Sequence, residues 1–266
     1  MRAPGSPARD RRYSRTSREP VHPCEHCTER RPGCAVIASE KRRHAKEDDE
    51  RVSICGVIFD LDGTLADTLP VCCAAFRPVL LDITGREYND SEIVALFGPN
   101  EEGILRRLVG DDWPAAMERF LAEYEANHDT CPAPFEGIDD VLRRIDERGA
   151  RLAIITGKGA GSAAISIRRL GLARYFDIVR SGSADGLVKA DQIREIATIW
   201  DVPVERLAYV GDTIHDIEHA QEAGAAAIAA AWAATANREA LAQAGPRALF
   251  TSIEAFASWV EHDVCP

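Results

Sequence analysis

The chain has 266 residues, of which 45% are apolar and 28% charged, a balance that excludes fibrous, collagenous and wholly disordered classes and leaves room for one or two domains with a real core. Its formal net charge of -11 hides an asymmetry: residues 1–50 hold 12 Lys and Arg against 9 Asp and Glu, whereas residues 51–266 hold 20 against 34. An acidic body argues against broad nucleic-acid binding, because a phosphate backbone must be met by clustered cations.

Residues 1–50 scatter Pro4, Gly5, Pro7, Pro20, Pro23, Pro32 and Gly33 among Arg, Ser and Glu without an apolar period. This stretch is expected to be a disordered tail, since its few apolar side chains cannot repay the entropy of ordering. Cys24, Cys27 and Cys34, with His22 and His26 nearby, leave open a set of soft ligands for zinc, although a second Cys-x-x-Cys is absent. The first 20 residues carry six Arg and no central apolar stretch, which argues against a secretory signal and leaves a transit peptide as the alternative. The body cysteines, Cys55, Cys72, Cys73, Cys131 and Cys265, then read as reduced thiols in a cytoplasmic protein. The longest apolar run, Ala223 to Ala234, falls well short of the roughly 20 residues that span a bilayer, so no membrane segment is expected.

The character changes at Val52 to Phe59, a short β-branched run that fits a strand buried on both faces. The next region breaks the rhythm: Leu69–Leu81, Asn100–Leu108 and Pro114–His128 have helical patterns with no strand among them, and Pro132 and Pro134 close it. Residues 68–134 are therefore read as a helical insertion that returns to the sheet near Phe135. Further on, helices at Ile138–Glu147, Gly161–Leu170, Ala190–Trp200 and Ile214–Ala223 alternate with strands at Arg151–Ile155, Phe176–Val179 and Leu207–Val210 and one starting at Ala226. A last edge strand is expected at Ala248–Phe250. The alternation predicts an α/β fold, a doubly wound parallel sheet formed by residues 51–67 and 135–266.

The first strand runs into Asp60-Leu61-Asp62-Gly63-Thr64-Leu65. Two carboxylates two residues apart then stand at the carboxyl end of a buried parallel strand, the edge at which open α/β sheets bind ligands. Gly63 permits a tight turn that lets both acids face one site. Alone, this tetrapeptide could merely end a strand. Thr156, followed by Gly157 and Lys158, closes another strand, and Gly211-Asp212-Thr213-Ile214-His215-Asp216 closes a third. Either could equally be a turn with Thr156 or Asp212 as a helix N-cap. Lys189 follows the loop Gly186-Leu187-Val188, with Lys158 as a rival cation.

Taken together and in this order, Asp60–Leu65, Thr156, Lys189 and Gly211–Asp216 resemble the four motifs of the haloacid dehalogenase-like phosphatase superfamily. The resemblance covers residues 53–260 and implies a Rossmann-like core. Residues 68–134 would be the small α-helical cap of phosphoglycolate phosphatase-like and β-phosphoglucomutase-like members. It further implies a Mg²⁺-dependent hydrolysis of small phosphate monoesters, with a small phosphorylated metabolite as partner. Asp60 would be the nucleophile that forms an aspartyl-phosphate, and Asp62 the general acid and base. Thr156, Gly157 and Lys189 would hold the phosphoryl group. Asp60, Asp62, Asp212 and Asp216 would form the metal site, Asp62 through its backbone carbonyl. The sequence has Ala190 where members often have Pro after the Lys. Asp62 disfavours a true dehalogenase, since a halide needs no protonation. The segment Phe97–Leu105 resembles the cap of phosphoglycolate phosphatases, though Asn100 as a helix N-cap accounts for it as well. A phosphomutase and a non-catalytic binding protein on the same fold remain as alternatives.

Overall fold

The computed structural model describes residues 53–186 and 188–265; the expected tail, with Cys24, Cys27 and Cys34 as the open zinc question, lies outside the described residues. Strand β1 (Gly56–Phe59) is followed by four helices with no strand between them: α1 (Leu69–Thr84), α2 (Asp90–Val94), α3 (Glu101–Val109) and α4 (Trp113–Asn127). Then come α5 (Ile138–Glu147), β2 (Arg151–Ile155), α6 (Ala160–Arg169), β3 (Ile178–Arg180), α7 (Lys189–Trp200), β4 (Leu207–Gly211), α8 (Ile214–Ala223), β5 (Ala226–Ala230), α9 (Arg238–Gln243), β6 (Ala248–Phe250) and α10 (Ile253–Asp263). The expected edge strand is present, and the strand expected at Phe176–Val179 lies slightly later. The first strand is shorter than the run Val52–Phe59, because Ile54 instead forms an isolated parallel bridge to Val264.

All six strands are parallel, in the order β3-β2-β1-β4-β5-β6. The short runs are apolar on both faces because helices cover both. Side chains alternate along β1: Val57 and Phe59 join one core layer with Phe176 and Phe256, while Ile58 joins another with Trp200 and Tyr209. Phe59 meets Phe176 and Phe256 edge-on at centroid distances of 6.3 and 6.0 Å. Helix α5 turns one apolar stripe inward, burying Ile138, Val141, Leu142 and Ile145.

The inserted helices follow local rules. Pro70 sits in the first turn of α1, where its missing N–H costs nothing, and Gly85 ends that helix at φ 69° while donating to Leu81 O. Asn100 caps α3 by accepting from the Gly103 N–H. Helices α1 and α4 pack through Phe76 and Phe120, whose centroids are 4.4 Å apart. The insertion closes where the Phe135 N–H donates to Leu65 O at 3.0 Å. No described helix is long and apolar enough to cross a membrane.

Because Phe59 is fully buried between two aromatic partners, Phe59→Ala should lower unfolding free energy by about 3–5 kcal/mol. Urea unfolding checks this; a change below about 1 kcal/mol would contradict the packing described.

Candidate active site

Strand order reverses at β1: the chain goes to β2 on one side and returns to β4 on the other. A crevice opens there, beyond the carboxyl ends of β1 and β4. The Asp60 N–H donates to Val210 O at 2.9 Å, extending the ladder by one residue and fixing the Asp60 side chain at the crevice floor. Gly63 then turns the chain with φ 75°, and a Cβ there would run into the Asp212 carboxyl group. Both the dihedral and the close approach require glycine at position 63. At Gly211 the close approach alone applies: a Cβ there would strike Asp216.

Lys189, the first residue of α7, donates to Asp60 Oδ1 at 2.8 Å and to Asp216 Oδ1 at 2.7 Å. All three groups are buried. One ligand oxygen each from Asp60, Asp212 and Asp216 lies within 4.8 Å of the others. Burial chiefly, then the charges of Asp216 and Asp62, push the Asp60 carboxyl up to about 7 against the pull of Lys189. Burial and the neighbouring Asp60 and Asp216 push Asp212 up to about 8. Lys189 goes the other way: burial opposes its charge, but Asp216 and Asp60 outweigh burial and hold the ammonium well above its ordinary pKa. Asp216 is held below the carboxylate range despite burial, by Lys189 and Thr213.

The oxygens of Asp216 are fully used. Oδ1 accepts from Lys189 and from the Tyr209 hydroxyl, and Oδ2 accepts from the Thr213 N–H and hydroxyl. That accounts for all four lone-pair positions of a carboxylate. Asp60 and Asp212 keep unused acceptor capacity: among the described residues, Asp212 receives only the Thr64 hydroxyl, at 3.4 Å.

A second lysine lines the same cavity. Lys158 Nζ lies 3.2 Å from Asp62 Oδ1 and 4.5 Å from the centroid of the Tyr124 ring, and Thr68 also donates to Asp62. Asp62 is thereby held by one residue from the loop after β2 and one from the entrance to α1. The start of α3 docks on the same sheet edge. Glu101, itself buried, accepts from the Gly159 N–H at 2.5 Å and the Ser162 hydroxyl at 2.6 Å, and the Asn100 side chain donates to Gly182 O at 3.0 Å. Between these contacts and the carboxylates lies a cavity of about 450 Å³.

The family model of haloacid dehalogenase-like hydrolases matches residues 57–230. The chain belongs to the haloacid dehalogenase-like hydrolase family. Among its relatives, the tyrosine-protein kinase PtkA of Mycobacterium tuberculosis is 31% identical over 180 residues, covering 66% of this chain but only 62% of that protein's length. The phosphoglycolate phosphatase of Cereibacter sphaeroides is 29% identical over 177 residues, 64% of this chain and 81% of the relative. In fold, a haloacid dehalogenase-like protein from Streptococcus pneumoniae superposes with a TM-score of 0.64 at 24% identity, covering 77% of this chain and 98% of the other.

Within this hydrolase-family fold, Asp60, Asp62, Gly157, Lys189, Asp212 and Asp216 all line the cavity. Thr156 is fully buried behind them, where its hydroxyl accepts from the Lys158 N–H at 3.2 Å. Lys158 and Lys189 are not alternatives: the two ammonium groups serve different carboxylates. Sequence reasoning left Thr68, Glu101 and Tyr209 unassigned. Nothing local marks them, since each matters only through a partner distant in the chain. Trp232 supports the loop by donating to Thr64 O at 3.0 Å.

Removing Lys189 leaves two buried carboxylates without their cation, so Lys189→Met should destabilise the fold by about 3–5 kcal/mol. Chemical unfolding measures this, and an unchanged midpoint would contradict the geometry.

Proposed function

We propose that this hydrolase-family protein is a Mg²⁺-dependent phosphatase of small phosphate monoesters that forms an aspartyl-phosphate on Asp60. One observation carries the reading: a buried Asp60 carboxylate at the floor of a cavity, with Lys189 on one oxygen and Asp212 alongside. A buried group of carboxylates with a single bonded ammonium carries uncompensated negative charge, and hard oxygen donors in such a group fit Mg²⁺. Asp60, Asp212 and the backbone of Asp62 would hold the ion. Asp216, expected among the metal ligands, has its lone pairs already used and would act by holding Lys189. Mg²⁺, when bound, would offset the repulsion between an attacking carboxylate and an anionic phosphate.

The residues then divide the chemistry. An Asp60 oxygen attacks phosphorus, the ester P–O bond breaks, and Asp62 gives its proton to the leaving alkoxide. In the second half Asp62 takes a proton from water as that water attacks the acyl phosphate, which releases inorganic phosphate and restores Asp60. The Gly157 N–H and Lys189 supply donors for the phosphoryl oxygens as charge develops, and the Thr156 hydroxyl expected beside them lies behind the cavity, where it holds the Lys158 N–H. Lys158 and Thr68 orient Asp62. Residues 68–134 serve as the cap, opening for substrate and excluding water when closed on Gly159, Ser162 and Gly182. The cytoplasm is the proposed location. Phosphoglycolate enters the substrate panel through the name of the Cereibacter relative and the likeness of Phe97–Leu105. A phosphomutase would share the first half and put a sugar hydroxyl in place of water in the second.

Phosphate release from a panel of monoesters, pyrophosphate and hexose phosphates should require Mg²⁺ and vanish in Asp60→Asn, while Asp62→Asn should lose roughly 10²–10⁴-fold in kcat. Undiminished turnover in Asp60→Asn would overturn the assignment; isomerised sugar phosphate without free phosphate would favour the mutase.

Stability should also depend on pH. Asp60 and Asp212 are raised to about 7 and about 8 in the folded protein, well above an unfolded carboxyl. A folded pKa above the unfolded one contributes stability that is present at low pH and is lost as pH rises through the folded value. Asp216 works oppositely, but its window lies at and below the ordinary carboxylate range. Without Mg²⁺, Tm should therefore fall from about pH 4, the ordinary carboxyl value, to about pH 8 and level off above it, and saturating Mg²⁺ should flatten that fall. A Tm equally pH-dependent with and without Mg²⁺ would contradict a metal site at these carboxylates.

A further inference from the structure

Opposite the polar floor, the cavity is walled by Leu69, Cys72, Val94, Phe97 and Ile104 from the inserted helices and their loops. Most of the cavity's exposed surface is apolar. Val94 and Phe97 are among the few large apolar side chains left exposed in the described residues, at 39% and 38%, and both face this opening. Exposed apolar groups that converge on an enclosed space next to reactive groups mark a binding wall more than a packing defect.

The charges around the cavity narrow the ligand further. Residues 69–134 contain five arginines, no lysine and twelve acidic residues. Arg77, Arg86, Arg106 and Arg119 pair with Asp90, Glu92, Glu102 and Asp82, and none of the five lines the cavity. Among the described residues, the lysines lining the cavity are Lys158 and Lys189, each within salt-bridge distance of a floor carboxylate, and His215, which also lines it, faces Glu218 at 3.2 Å. The one charged side chain that the insertion contributes is the Glu101 carboxylate. An anionic group on the far side of a substrate would meet no free cation and one carboxylate. Burying such a charge without a partner is costly, whereas burying methylenes is favourable.

We infer that the leaving group accepted here is uncharged and largely apolar, so that the substrates are monophosphates of aliphatic or aromatic alcohols, in place of phosphoglycolate, pyrophosphate or sugar bisphosphates. The inference rests on the phosphatase reading for turnover, but the shape and charge of the wall can be tested by binding alone. At about 450 Å³ the cavity is within the range that holds ligands of several to many heavy atoms, far more than a two-carbon acid fills.

The test uses the full chain with Mg²⁺. Calorimetry compares hexylphosphonate with phosphonoacetate, and turnover compares ethyl, butyl and hexyl phosphates with phosphoglycolate. Hexylphosphonate should bind at least about tenfold tighter than phosphonoacetate. kcat/KM should rise about threefold per added methylene until the wall is covered. Phe97→Arg, at a partly exposed position, should shrink the hexyl advantage and tighten phosphonoacetate. Tighter phosphonoacetate in the wild type, or a flat alkyl series below phosphoglycolate, would overturn the inference while leaving the phosphatase reading intact. Tight hexylphosphonate with no Mg²⁺-dependent release from any ester would support the wall and overturn the phosphatase reading.

Discussion

The whole arrangement depends on a buried excess of negative charge at the meeting of β1 and β4. Asp60, Asp212 and Asp216 share one crevice, and one bonded ammonium, that of Lys189, answers them directly. Such a group is expensive in a low-dielectric interior unless every charge has a partner. The sheet register fixes where the charges sit, and the glycines at 63 and 211 let them approach so closely. The structure resolves the conflict unequally. Asp216 is fully bonded and held ionised, whereas Asp60 and Asp212 are pushed up towards neutrality and keep free acceptor positions. A carboxylate that is buried, incompletely solvated and beside a lysine is suited to attack an electrophile once its charge is balanced.

Around that floor the two parts of the molecule contribute opposite surfaces. The α/β core brings nearly all the charge, carried on the loops at its strand ends. The inserted helices bring an apolar wall and one acid, Glu101, which is consumed in docking to Gly159 and Ser162. Polar contacts thus join the insertion to the core, while its apolar face is left to the cavity. A bound phosphate would be handled by the core and the remainder of its ester by the insertion, which separates the reaction from the choice of substrate.

Much of this was legible in the sequence. The strand ends were readable because short β-branched runs stop at Asp60, Thr156 and Asp212, and their order in the chain carries the family likeness. The interval without strands marked the insertion, and its return near Phe135 coincides with a hydrogen bond to Leu65. Other features were hidden for physical reasons. Helix α2 has five residues with one buried side chain, Ile93, too few to set up a period. Lys158 and Lys189 looked like competitors because the sequence does not reveal that they pair with different carboxylates, Asp62 and Asp60. The full hydrogen bonding of Asp216 depends on Tyr209, which reads as an ordinary strand aromatic. The apolar wall draws on Leu69, Val94 and Ile104 from separate elements, so no periodicity announces it.

The central claim is that Asp60 becomes phosphorylated. The most direct measurement is an acid-quenched single turnover with a ³²P-labelled phosphate monoester, followed by peptide mapping of protein-bound label and its release by hydroxylamine. The account predicts transient, hydroxylamine-sensitive label on the peptide containing Asp60 that decays as inorganic phosphate appears. Phosphate release without protein-bound label at any time, or stable label on a different residue, would contradict it.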